Sequence, residues 1–130
     1  MHRLNELAID MVPEVSLDYD DDQLRHADAI GVYVFYEDFL MNAVLKRSED
    51  NDTVKKIAKL VNILSESDEY SRNLAQVAIL ERLIEGEFTS VNDHLQDSAR
   101  ALVKNISEYM AVDLSKWAKP NESGKTEWKS

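Results

Sequence analysis

The sequence predicts an all-α fold, about five helices in a single compact bundle. Three observations lead there. Only 3 Gly and 2 Pro occur in 130 residues, too few for the many tight turns of a β-sandwich or barrel. Hydrophobic residues make up 44% and charged residues 31%, which describes a chain able to offset its ordering entropy by burying one core. Apolar residues recur at spacings of three and four along most of the length, the period of a helix with one buried face.

The first stripe is Leu4, Leu7, Ala8 and Met11, ended by Pro13, which lacks an N–H and restricts its predecessor. An acidic loop follows over 15–22. Its carboxylates Asp20, Asp21 and Asp22 are placed to cap the next helix and complement its dipole. That second helix is expected from about Asp22 to about Lys46 and is apolar nearly all round at its centre, as a helix packed on several sides would be. Gly31 in its interior suggests close approach of a neighbour. A polar loop from Ser48 leads into a third helix near Thr53, with Val54, Ile57, Ala58, Val61 and Leu64 on one face. A Ser/Asp/Glu turn at 65–69 leads into a fourth helix, Asp68 to Glu85, also apolar over most of its circumference. Gly86 behind it suits a left-handed helix stop. The third and fourth helices form an antiparallel hairpin over residues 53–85. The fifth helix is expected after Ser90, with Ser90 and Asp93 as a capping pair and Val91 to Met110 as its stripe. Residues 1–112 then make the bundle and 113–130 a polar C-terminal tail, with Trp117 fixing the tail to the bundle.

Several kinds of chemistry are excluded. There is no cysteine, so no disulfide, thiolate metal site or cysteine nucleophile exists. No glycine-rich phosphate loop and no G-x-S-x-G occur. The three histidines, His2, His26 and His94, are scattered. The run Asp18-Tyr-Asp-Asp-Asp opens like a calcium loop. The glycine and glutamate that such a loop needs further on are replaced by Gln23 and Ala29. Glu37, Asp38 and Glu81 lie on apolar helices and raise the weaker alternative of a carboxylate metal site, without the Glu-x-x-His pairs of di-metal bundles. No cofactor and no enzymatic activity are expected. The charged first ten residues and the short uncharged run 29–36 predict a soluble, cytoplasmic protein with neither signal peptide nor membrane helix.

The net charge is −10 and unevenly spread: residues 14–97 carry −11 and residues 98–130 carry +2. Such a body repels phosphate backbones, so direct nucleic-acid binding is not expected, and it steers basic partners toward itself. The candidate contact residues are the acidic segments with their neighbouring tyrosines: Asp18, Tyr19, Asp20, Asp21 and Asp22, and Glu66, Asp68, Glu69 and Tyr70.

The stretch Val-Lys-Lys-Ile-Ala-Lys-Leu-Val-Asn-Ile-Leu (54–64), the acidic turn, and Tyr-Ser-Arg-Asn-Leu-Ala-Gln-Val-Ala-Ile-Leu-Glu-Arg-Leu (70–83) resemble a family of small bacterial helical proteins of unknown function. The hairpin is similar to one unit of a HEAT-like helical repeat, without further units. In size, charge and helical type the chain also resembles immunity proteins of bacterial toxin systems, including contact-dependent growth inhibition. That resemblance implies a protein that binds and neutralises one cognate toxin, and the acidic charge points to a nuclease with a basic active site as that toxin. The alternative is an intracellular helical adaptor or homo-oligomeric scaffold without catalytic activity.

Overall fold

The computed structural model describes residues 1–117, together with the backbone of Lys119–Pro120 and Thr126–Glu127. It is an all-α bundle. The helices are α1 (Arg3–Met11), the single turn α2 (Val15–Asp18), α3 (Asp21–Ile30), α4 (32–45), α5 (Asn51–Ser65) and α6 (69–85). A 3₁₀ segment (Thr89–His94), α7 (Asp97–Ser107) and the turn α8 (Leu114–Trp117) complete the order. Lys119–Pro120 and Thr126–Glu127 pair as a minimal antiparallel ladder. The later part of the expected tail and Trp128 lie outside the described residues.

α5 and α6 form the expected hairpin. The element touched by most others is α5, which packs against α1, the end of α4, α6, the 3₁₀ segment and α7. Its whole apolar face is buried: Val54, Ile57, Ala58, Leu60, Val61 and Leu64. Asp50 caps it by accepting the Asp52 N–H at 3.1 Å. Trp117, whose turn packs on the 3₁₀ segment and α7, is 3% exposed. The Arg100 guanidinium holds the chain there by donating to the carbonyls of Leu95, Asn92 and Trp117 at 3.1, 2.9 and 3.2 Å.

The second expected helix is two helices. α3 starts with a reciprocal capping box between Asp20 and Gln23, and it stops at Gly31, where φ is 151° and ψ is 167°. Only glycine adopts that region without strain. A Cβ there would meet nothing within 4 Å, so the glycine serves the backbone and not a close neighbour. The Gly86 expectation is also corrected: Glu87 is the left-handed residue, with φ 53°, and Gly86 has φ −83°.

The fifth helix begins later than expected. Residues 89–94 are 3₁₀, Leu95 and Gln96 are extended, and the α-helix starts at Asp97. The side chain of Asn62 on α5 stabilises the break. It donates to the His94 carbonyl and accepts the Gln96 N–H, both at 2.9 Å. These bonds replace the Ser90–Asp93 cap.

The two helices read as apolar all round share one device. α4 contains a six-residue π segment, Phe35–Leu40, and α6 another, Ala75–Leu80. The two segments pack against each other. At about 100° per residue, Met41 would point opposite Val32, and Leu80 opposite Ser71, in an uninterrupted α-helix. All four are buried. A π turn takes up one extra residue and rotates the remainder of the helix, so two stripes that are out of phase in sequence line up on one core. Tyr36 is fully buried in this region and donates its hydroxyl to the Leu4 carbonyl, tying α4 to α1. Burial pushes its phenol pKa well up.

Candidate functional site

The two acidic segments singled out from the sequence lie apart. Asp18 faces Arg47, just past the C-terminal end of α4, and Tyr70 faces Tyr33 in the first turn of α4. The helix between Tyr33 and Arg47 spans about 20 Å at 1.5 Å per residue. They do not form one patch.

Most of these acids already have structural partners. Asp18 accepts two hydrogen bonds from Arg47, at 2.6 and 2.8 Å, and pairs with Lys46 at 3.2 Å. Its side chain is only 11% exposed. The Arg47 hydrogen bonds, which outweigh the effect of burial, lower its pKa to about 2. Arg47 also donates to the Ala43 carbonyl, so the same guanidinium closes the end of α4. Beside this clamp, Glu14 is buried between Thr53, 2.7 Å away, and Lys56, 3.1 Å away. Burial raises the Glu14 pKa, but the bonds from Thr53 and Lys56 outweigh it, and the carboxyl sits below its usual range.

Asp20 caps α3, accepting the Gln23 N–H at 2.8 Å. Asp21 pairs with Arg25 one turn on, at 2.7 Å, with both side chains largely in water. Asp68 caps α6 through the Ser71 N–H at 2.8 Å, and that bond holds its carboxyl below the usual range. Tyr19 is half-buried, its ring 4.7 Å from that of Phe39. Asp22, Glu66 and Glu69 are exposed.

A second cluster, of which the sequence singles out Tyr70 as a contact residue and Glu81 only as a metal-site carboxylate, runs along the solvent side of α6. Tyr33 from α4 and Tyr70 meet edge to face at 5.9 Å. Asn73 donates to the Tyr33 hydroxyl at 2.9 Å. Gln76 donates to the Tyr109 hydroxyl, which donates onward to Glu81, each at 2.9 Å. Tyr109 lies just beyond α7, so side chains from α4 and from the end of α7 flank the strip on α6. Tyr70 is 49% exposed and Tyr109 56%, so half of each ring meets solvent although both are held in place. On α6 the strip is Tyr70, Asn73, Gln76 and Glu81, and the π segment 75–80 takes their spacing off the regular helical period, so local periodicity does not pick it out.

Of the three carboxylates considered for a metal site, Asp38 is exposed and Glu37 and Glu81 are half-buried. No group of three or more His, Cys, Asp or Glu among the described residues is placed to hold a metal ion. No helix among the described residues is long and apolar enough to cross a membrane.

Comparison with known proteins gives a different context from the toxin systems. The chain is 28% identical over 118 residues to the CRISPR system Cmr subunit Cmr5 of Thermotoga maritima, covering 89% of this chain and 76% of that protein. No family model matches, and no solved structure matches. The similarity overturns the expectation of an immunity protein for contact-dependent growth inhibition or another toxin system, and with it the cognate toxin as partner. The physical basis of that expectation is also reduced. Asp18, Asp20, Asp21 and Asp68 are engaged in clamps and caps, so their charge is in large part structural.

Proposed function

We propose that this chain is a non-catalytic structural subunit of a CRISPR-associated multiprotein assembly, acting in the cytoplasm as a helical adaptor. The observation that carries this reading is the similarity to a Cmr subunit along nearly the whole chain. An all-α bundle with an exposed aromatic strip fits an adaptor, because Tyr109, fixed by hydrogen bonds, and Tyr70, packed against the Tyr33 ring, supply contact area at low ordering cost.

The test is co-expression of the tagged full chain with the other proteins encoded in its own CRISPR locus. The expected outcome is a complex of fixed stoichiometry that survives size-exclusion chromatography. A chain that elutes alone under every combination would overturn the reading.

A further inference from the structure

We infer that the solvent side of α6 docks an arginine-bearing surface of another protein subunit; this rests on the subunit reading above and assigns the face and its chemistry. The tyrosines supply the first part of the argument. Tyr33, Tyr70 and Tyr109 converge on one helix side from α4, α6 and the end of α7. Their hydroxyls or rings are fixed by Asn73, Gln76, Glu81 and one another. A strip already ordered before contact loses little side-chain freedom when it is covered. By contrast, Leu17 is 77% exposed, but it is a single apolar side chain with no such framework.

The carboxylates supply the second part. Glu69 and Glu81 lie at the two ends of the strip, twelve residues apart on α6 and so about 18 Å. Neither takes part in an ion pair among the described residues. Arg72, close by, instead turns back to the Ser67 carbonyl at 3.3 Å. Exposed phenol faces flanked by carboxylates without a cation match a guanidinium, which stacks on aromatic rings and forks onto carboxylates. An ammonium does the second far less well.

A second copy of this chain is the wrong occupant on charge. Each copy carries −10, and a two-fold contact through this strip would set Glu69 and Glu81 of both copies in one interface.

The experiment uses the full chain reconstituted with the other subunits of its locus. The double variant Tyr70→Ala/Tyr109→Ala should weaken incorporation by about 10- to 100-fold, as expected for central aromatic contacts. Tyr70→Phe, which keeps the ring and its contact with Tyr33, should stay within about threefold. The Glu69→Lys/Glu81→Lys variant should weaken incorporation and flatten its dependence on salt. Leu17→Ala serves as a surface control and should assemble like wild type. Circular dichroism and melting of each variant establish that the bundle is intact. If wild type assembles and the double alanine variant assembles equally well, the surface is refuted while the subunit reading stands. If wild type joins none of these proteins, the subunit reading itself fails. A wild-type homodimer in ultracentrifugation that the alanine variant abolishes would overturn the choice of occupant.

Discussion

Two regions of this protein use acidic residues in opposite ways. At the end of α4, Asp18 and Glu14 are buried or nearly so, and Arg47, Lys46, Thr53 and Lys56 surround them. Along α6, Glu69 and Glu81 stand among exposed tyrosines with no cation paired to them among the described residues. The first region consumes its charge in holding three segments together: the chain after α1, the end of α4 and the start of α5. The second leaves its charge and its aromatic surface facing outward. A count of acids over residues 14–97 mixes the two, and only partners and burial separate them.

The contrast can be broken by substitution, and the largest effect is expected at Glu14. Glu14→Ala leaves the Lys56 ammonium without its carboxylate and removes one partner of the buried Thr53 hydroxyl. A loss of about 2 kcal/mol is expected from such a half-removed buried pair, read from urea unfolding. Arg47→Ala removes the Asp18 clamp and the bond to the Ala43 carbonyl. Solvent reaches this pair, so about 1–2 kcal/mol is expected in the same measurement. If neither substitution lowers stability, the clamped end is not the structural region it is taken for.

Acid sharpens the comparison further. The Asp18 carboxyl is lowered from 3.8 to about 2 in the folded chain, so the unfolded chain binds the proton first as pH falls. The stabilisation is therefore complete above 3.8 and is lost as the pH drops toward about 2. Asp18→Asn should make the acid limb of a stability-versus-pH curve shallower across that window. An unchanged limb would show that the clamp contributes nothing. The smallest effect is expected along α6. Tyr70→Ala and Tyr109→Ala should each lower folding stability by less than about 1 kcal/mol, because these rings are half in water and their bonds are solvent-exposed. A clear loss of stability there would make the strip part of the core.

Much of the fold is legible in the sequence because it rests on local periodicity. The buried face of α5 is the stripe Val54, Ile57, Ala58, Val61 and Leu64 that spacing alone picks out. The illegible parts depend on long-range partners. Asn62 creates a break before α7 from 32 and 34 residues away, and no local pattern signals it. Gly31 stands out in the sequence, but its φ, not its size, is the reason for it. The acidic segments are plain to see, and Arg25 lies within the local i,i+4 reach of Asp21, whereas Arg47, the partner of Asp18, emerges only in three dimensions. The tyrosine strip draws on three separate parts of the chain, so no single window could contain it. The toxin expectation rests on net charge and general resemblance, neither of which distinguishes structural from outward-facing acids.

The all-round apolarity of α4 and α6 resolves into two stripes out of phase, joined by π segments that face each other. This has a consequence for how the chain can change in length. A one-residue deletion inside an ordinary helical turn rotates everything after it away from the core. A one-residue deletion inside residues 35–40 or 75–80 instead removes the surplus residue, and a regular α-helix can then connect the same two ends. Length variation among related chains should therefore be tolerated in the middle of these two helices as well as in the loops. Sequences that align poorly through the centres of α4 and α6 can still build the same core.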